Sequence, residues 1–196
     1  MQQQTIQSPT TMMPITDREF GLLRGLVYER FGINLTEQKR SLLVGRLQKL
    51  LRNTGYPNFK SYYDDLVRDR SGEKLDALIN RVSTNYSYFY REESHFEFFQ
   101  KTALPQLAAQ QKKKDSNDIR IWTAGCSTGE EPYMLIMLMM EYFGPQYFRM
   151  DAGILATDIS DHALGVARQG LYPEDRVTRV PSALKNKYFS DSNDGM

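Results

Sequence analysis

One cysteine, Cys126, two histidines, His95 and His162, and one tryptophan are all that 196 residues contain of those types. A single thiol excludes an internal disulfide and suits a reducing compartment, which makes the cytoplasm the expected location. The cysteine and the histidines sit at no recognised metal-ligand spacing, so no structural or catalytic metal is expected. Long apolar runs are missing too. The longest, Met134 to Met140, falls well short of the ~20 residues that a membrane helix needs, and no secretory leader is visible. No membrane insertion is expected. Nor is there an excess of charge: 25 Lys and Arg stand against 24 Asp and Glu, which removes any global attraction to nucleic acid. One absence is local. Between Glu37 and Asp64 there is no acid, while Lys39, Arg40, Arg46, Lys49, Arg52 and Lys60 fall in that window. A basic surface is predicted there, with a merely solvated helix face as the competing reading.

What is present divides the chain in two. Residues 1–15 are polar and aperiodic, as in a disordered leader. "TDRE" then reads as a capping box, Thr16 at the N-cap and Glu19 at N3. Phe20, Leu23, Val27 and Phe31 follow at helical spacing before Gly32. A second helix is predicted from Thr36 to about Asn53. Its apolar arc is Leu43, Val44, Leu47, Leu50 and Leu51, with Arg46, Lys49 and Arg52 on the opposite side. "NFKSYYDDLV" and "EKLDALINRV" predict two more short amphipathic helices. "STNYSYFYRE" lacks a helical period and precedes a helical run from about Ser94 to Ala109, interrupted at Pro105. "QQKKKDSND" reads as a charged connector. Beyond it "IRIWTA" and "AGILATDI" read as buried strands, each followed by a helix, Glu130–Tyr142 and about Asp161–Gln169. That alternation opens a parallel α/β sheet. Two strands are fewer than the ~4–6 of common sheets, so the domain reads as the first part of a longer one, with an edge covered by a partner as the other option.

The loop between the first strand and its helix, Gly125-Cys126-Ser127-Thr128-Gly129-Glu130-Glu131, admits three readings. G-x-S-x-G is the pattern of a hydrolase nucleophile elbow. Asp158 and His162 follow in the right order, but they lie only four residues apart, whereas that triad uses separate loops. A hydroxyl capping the next helix is the plainer role for Ser127. Phosphate binding would need a Walker lysine or a G-x-G-x-x-G spacing, and Glu130 and Glu131 occupy the place of the anion. The third reading pairs the loop with Asp158 at the carboxyl edge of the second strand, where open α/β folds bind ligands. A carboxylate there can accept the hydroxyls of a ribose. The interval from Gly125 to Asp158 is 33 residues, longer than the ~20 of the NAD fingerprint. A nucleoside carrying a cation instead of a pyrophosphate suits the acids, and S-adenosylmethionine is such a ligand. Glu130 can equally complement the helix dipole, Asp158 can cap the following helix in competition with Ser160, and Cys126 reads as a packing residue.

"RIWTAGCSTGEEPY", "ILATDIS", "ALGVARQGLY" and "STNYSYFYREESHF" together resemble the chemotaxis receptor methyltransferase family (CheR type), from about Thr16 to Phe189. The resemblance implies an α plus α/β chain: a helical domain over 16–90, a helix and connector over 91–118, and over 119–196 the first half of a Rossmann-like methyltransferase domain. It implies S-adenosyl-L-methionine as cofactor, with S-adenosyl-L-homocysteine as product, bound by Asn85, Ser87, Arg91, Glu131 and Asp158, and a catalytic role for Arg91. It further implies methylation of glutamates on the cytoplasmic methylation helices of chemoreceptors, docked by Arg46, Lys49 and Arg52. Ser87 replaces the family's more usual threonine and Gly125 a common alanine. The family's C-terminal "C-R-N…I-Y-F" segment and β-subdomain have no counterpart here. A noncatalytic receptor- or cofactor-binding module is therefore the alternative.

Overall fold

The computed structural model describes residues 13–192, so most of the expected leader lies outside the described residues. Chain contacts divide it into two units, one ending at Thr84 and the next starting at Asn85, which puts residues 85–90 with the second.

The first unit is helical because its apolar residues recur at helical spacing and have one another to cover. Helices α1 (Asp17–Phe31), α2 (Arg40–Thr54), α3 (Phe59–Arg68) and α4 (Glu73–Val82) follow one another, with a 3-10 turn over Glu37–Lys39 leading into α2. Phe20, Leu23, Leu47, Leu51, Phe59, Leu66 and Leu78 are buried in one cluster. Removing such side chains from water stabilises the unit by roughly 1.5–3 kcal/mol each before entropy is counted. The capping box forms as its spacing predicts: Glu19 N–H donates to Thr16 Oγ1 at 3.2 Å, and Thr16 N–H donates to Glu19 Oε2 at 2.9 Å. The other carboxylate oxygen accepts Lys60 N–H at 2.9 Å, so one buried acid caps both α1 and α3. At the other end of the unit, Arg46 departs from its place on a helical wheel. Its guanidinium donates to Val82 O at 2.6 Å, Ser83 O at 2.9 Å and Thr84 Oγ1 at 3.1 Å. It satisfies carbonyls left open at the end of α4. Lys49 and Arg52 remain exposed, whereas Arg40 pairs with Asp17 and Glu37, and Lys60 with Asp64.

In the second unit α5 (Glu93–Phe98) runs through a wider π-type turn over Phe99–Ala103 into α6 (Leu104–Lys114). The turn precedes Pro105, which has no N–H to donate and whose ring needs room. The helix therefore widens at the expected interruption instead of ending. The connector expected over Gln110–Asp118 is mostly helix. Glutamine and lysine are good helix formers, three lysines in the last turn complement the dipole, and Asp115 closes the helix in the left-handed region at φ 49°. Strands β1 (Asp118–Ala124) and β2 (Asp151–Thr157) pair in parallel, with Ile119 opposite Ala152 and Ala124 opposite Thr157. Between them runs α7 (Glu130–Phe143), and α8 (Asp161–Gln169) and α9 (Ser182–Tyr188) follow. Leu104, Ile119 and Met139 form a core with Ile121, Ala152 and Ile154, so α6 and α7 cover one face of the sheet. The opposite face carries Trp122, 68% exposed, and Leu155, 62% exposed. The strands are thus buried on one face only among the described residues, a correction to the expectation of buried strands. Alternating side-chain direction puts Trp122 and Leu155, which are register partners, on the same uncovered side.

Burial pushes the Glu19 carboxyl upward, but the donors on Thr16 and Lys60 outweigh this and hold it below its ordinary 4.5. A carboxyl lowered on folding stabilises above the unfolded value and loses that contribution as pH falls through the folded one. Glu19→Gln is expected to cost about 1–2 kcal/mol in urea denaturation at pH 7, with the gap to wild type narrowing toward pH 3. An unchanged gap at pH 3 would show that charge at Glu19 contributes nothing.

Candidate functional site

The carboxyl ends of β1 and β2 are tied to each other beyond the sheet. Thr157 O accepts from both Gly125 N–H at 2.8 Å and Cys126 N–H at 2.9 Å, so the β1 loop leaves its strand along the end of β2. The loop then turns through three left-handed positions, Gly125 at φ 76°, Ser127 at φ 51° and Gly129 at φ 94°. At Ser127 that conformation is strained for a non-glycine residue. It is held by three contacts. Ser127 N–H donates to Asp158 Oδ2 at 2.7 Å, its hydroxyl donates to Asn85 O at 3.1 Å, and Gly129 N–H closes the turn on Cys126 O at 3.0 Å. Gly129, at φ 94°, has no room for a side chain: a Cβ there would sit 2.8 Å from Ala167 Cβ and 2.9 Å from the Tyr172 hydroxyl. A Cβ on Gly125 would meet nothing within 4 Å. The loop is packed behind Gly129 and open around Gly125.

Asp158 is the hinge between the two strand ends. Oδ2 accepts from Ser127 N–H, and Oδ1 accepts from Ser160 N–H at 2.8 Å. A carboxylate has about four acceptor positions, so two stay available after these bonds. The cap of α8 is Ser160, whose side chain accepts Ala163 N–H at 3.2 Å, and this frees Asp158 from the capping role. Asn85 joins the same cluster through Nδ2, which donates to Ser160 Oγ at 3.0 Å. Ser127 caps nothing. Its hydroxyl is given to a carbonyl, and His162, the base that an elbow would need, is exposed on α8. Burial and the neighbouring Asp158 charge raise the Cys126 thiol above its usual range, which keeps it protonated and unreactive.

The two glutamates at the mouth of α7 diverge. Glu131 is exposed, while Glu130 has 0% exposure. A buried carboxylate needs a partner and donors to be tolerated. Glu130 has both: Arg176 Nη1 at 3.0 Å and Thr128 Oγ1 at 2.7 Å, at a helix N-terminus that also favours negative charge. The same Arg176 nitrogen donates to Ser87 O. Tyr172 adds a second brace, its hydroxyl donating to Thr128 O at 2.6 Å. Burial and the Glu130 charge raise this phenol, so it stays a donor at all ordinary pH.

Asn85 and Asp158 therefore meet through Ser127 and Ser160 in one loop system, with Ser87 tied to it through Arg176, and Glu131 exposed at the mouth of α7. Arg91 lies at its margin, exposed, with Nη1 donating to Tyr86 O at 2.9 Å and Nε 3.7 Å from Glu92 Oε1. Arg176 was invisible in the sequence, where "PEDRV" matches no motif, and Tyr172, though the last residue of "ALGVARQGLY", was assigned no role. The only available signal was Glu130, an acid whose burial would demand a cation from elsewhere. Among the described residues no group of three or more His, Cys, Asp or Glu is placed to hold a metal.

The donor set fits a cationic nucleoside. Asp158 keeps acceptor capacity beside the open Gly125, Glu131 is exposed at the mouth of α7, and the loop from Gly125 to Glu131 contains no lysine or arginine for a pyrophosphate. Comparison with known proteins agrees. Residues 18–83 match the family profile described as CheR methyltransferase, all-alpha domain, and residues 85–196 that of CheR methyltransferase, SAM binding domain. The cofactor indicated by that domain is S-adenosyl-L-methionine. The chain is 43% identical over 180 residues to a chemotaxis protein methyltransferase of Borreliella burgdorferi, covering 92% of this chain and 64% of that protein. It is 34% identical over 181 residues to chemotaxis protein methyltransferase 2 of Vibrio cholerae, covering 92% and 62%, and 31% identical over 180 residues to the Escherichia coli chemotaxis protein methyltransferase, covering 92% and 59%. The chain thus spans less than two-thirds of the length of each of these relatives. From its helical first unit to the acid-lined loop at the ends of its paired strands, it belongs to the CheR methyltransferase family.

Proposed function

We propose that the chain carries the cofactor-binding and receptor-docking parts of a protein-glutamate O-methyltransferase that modifies chemoreceptors in the cytoplasm. The observation that carries this reading is Asp158, fixed by Ser127 and Ser160 N–H with acceptor positions left over beside the open Gly125. S-adenosylmethionine, when bound, supplies a methyl group on a sulfonium. Asp158 is the group to accept the ribose hydroxyls, and exposed Glu131 the group to face positive charge. Asn85 and Ser87 shape the adjoining wall. Arg91, an exposed cation at the margin, is suited to pair with a carboxylate, whether the cofactor's own or that of the incoming glutamate.

No general base is needed. An acceptor glutamate, with an unperturbed pKa of ~4.3, is already ionised at neutral pH. What the protein must supply is alignment of the two reactants and exclusion of water around them. This accounts for a site built from loop amides and acids, with its serine and cysteine engaged elsewhere. For docking, a receptor helix rich in glutamate would meet Lys49 and Arg52, which are exposed and have no acid nearby in sequence. Arg46 contributes less directly, since its guanidinium is spent on the end of α4. No described helix is long and apolar enough to cross a membrane.

Calorimetric titration with S-adenosylhomocysteine tests the site. Saturable binding by the 196-residue chain is expected. Asp158→Asn, which keeps one oxygen for the loop amides but loses the charge, should weaken it by about tenfold or more. Binding unaffected by that change would remove Asp158 from the site. Docking is tested separately: Lys49→Glu with Arg52→Glu is expected to lower labelled-methyl transfer to a receptor fragment about tenfold while S-adenosylhomocysteine affinity holds. Cofactor binding without any transfer by the wild-type chain would instead favour the noncatalytic binding module.

A further inference from the structure

The span from Tyr172 to Val180 does no chemistry of its own, yet it touches both walls of the candidate site. Arg176 is its centre. From one guanidinium nitrogen it donates to Ser87 O and, at 3.0 Å, to Glu130 Oε1. Its own carbonyl accepts Phe89 N–H at 3.1 Å. Its guanidinium carbon lies 5.8 Å from the centre of the Tyr86 ring. Three residues of the Asn85–Arg91 segment and the first residue of α7 are thus held by a single side chain and its backbone. Around it, Phe89 is buried and packs edge-on against Tyr172 at 4.8 Å and Phe189 at 5.0 Å, and Tyr172 fastens Thr128.

We propose that Arg176 is a positioning residue that holds the Asn85–Arg91 segment in register with the Gly125–Glu131 loop, so that the groups on the two walls meet the same ligand. The segment needs such a hold. It is neither helix nor strand, so its own backbone hydrogen bonds do not fix it, and Tyr90 at φ 65° lies in a strained region. The planar guanidinium, always charged, can serve a carbonyl and a carboxylate at once from a fixed geometry. Its partner Glu130 is fully buried, which makes the contact hard to leave: separating the pair would strand a charge away from water.

The inference rests on the reading of this loop system as the cofactor site, and the experiment keeps the two apart. Arg176→Met alone would strand Glu130 and endanger folding, so the informative comparison is Glu130→Gln against Glu130→Gln with Arg176→Met, in the full chain. Removing both charges leaves no unpaired buried ion, and the double variant is expected to melt close to Glu130→Gln. Relative to Glu130→Gln, it should bind S-adenosylhomocysteine about tenfold more weakly, and the amides of residues 85–91 should exchange about tenfold faster without ligand, while residues 17–82 keep their protection. Equal affinity and equal protection in the two variants would overturn the proposal and leave Arg176 as a counter-ion alone. A wild-type chain that fails to bind S-adenosylhomocysteine would overturn the cofactor reading, and segment-resolved exchange would still decide whether Arg176 holds residues 85–91.

Discussion

The second unit depends on a carboxylate, Glu130, buried without exposure at the first turn of an apolar helix. Burying that charge is tolerable only if compensation is built around it, and most of the local structure is that compensation. The helix N-terminus faces it, the Thr128 hydroxyl points back at it, and Arg176 arrives from a span that follows α8. Since the same guanidinium also reaches Ser87 O, solving the electrostatic problem of one residue brings a distant, irregular segment to the loop. Tyr172 and Gly129 complete the packing from behind, where even a methyl group would collide. The open side of the loop is left to Gly125, Asp158 and Glu131. A rigid back and an accessible front follow from one buried charge.

Asp158 solves the complementary problem. The left-handed backbone at Ser127 is costly, and a neutral acceptor would hold it less firmly than a carboxylate does. By taking one N–H from each strand's loop, Asp158 keeps the two strand ends at a fixed separation and still has acceptor capacity in hand. Each of the two acids, Asp158 and Glu130, accepts two protein donors, one on each oxygen, and what separates them is exposure: Glu130 is fully buried and Asp158 only half-buried. The remaining acceptor positions of Glu130 are sealed in the protein, whereas those of Asp158 can be reached from outside.

Much of this was readable from the sequence where the signal is local. Thr16 and Glu19 announce a helix start because the capping box is a contact three residues long, and it forms. The core positions of α2 follow from a 100° repeat. The strand pair and the glycine loop follow from composition and spacing, and of the motif residues Asn85 and Asp158 meet through Ser127 and Ser160. What was unreadable is tertiary. On a helical wheel Arg46 belongs to the polar side with Lys49 and Arg52, but the carbonyls at the end of α4, 36 and 37 residues away in sequence, claim it. A run of Gln and Lys reads as a linker or as a last helical turn with equal ease until something fixes the preceding helix, and Leu104 in the core does so. Trp122 and Leu155 read as buried because apolar residues in a strand usually are. Which face of a strand is covered depends on elements elsewhere in the chain, not on the strand.

The charge layout of the loop bears on the chemistry that it can host. Phosphate sites at helix N-termini work because unsatisfied N–H groups meet an anion; here the first-turn positions are occupied by Glu130 and Glu131, and the loop amides of Gly125, Cys126 and Ser127 are spent on Thr157 O and Asp158. The front of the loop therefore offers a ligand acids and few free amides, a setting that disfavours a phosphate and suits a ligand carrying positive charge, as the sulfonium of S-adenosyl-L-methionine does. A helix start that would elsewhere hold an anion is turned to the opposite sign by two first-turn acids, one sealed against Arg176 and one left exposed.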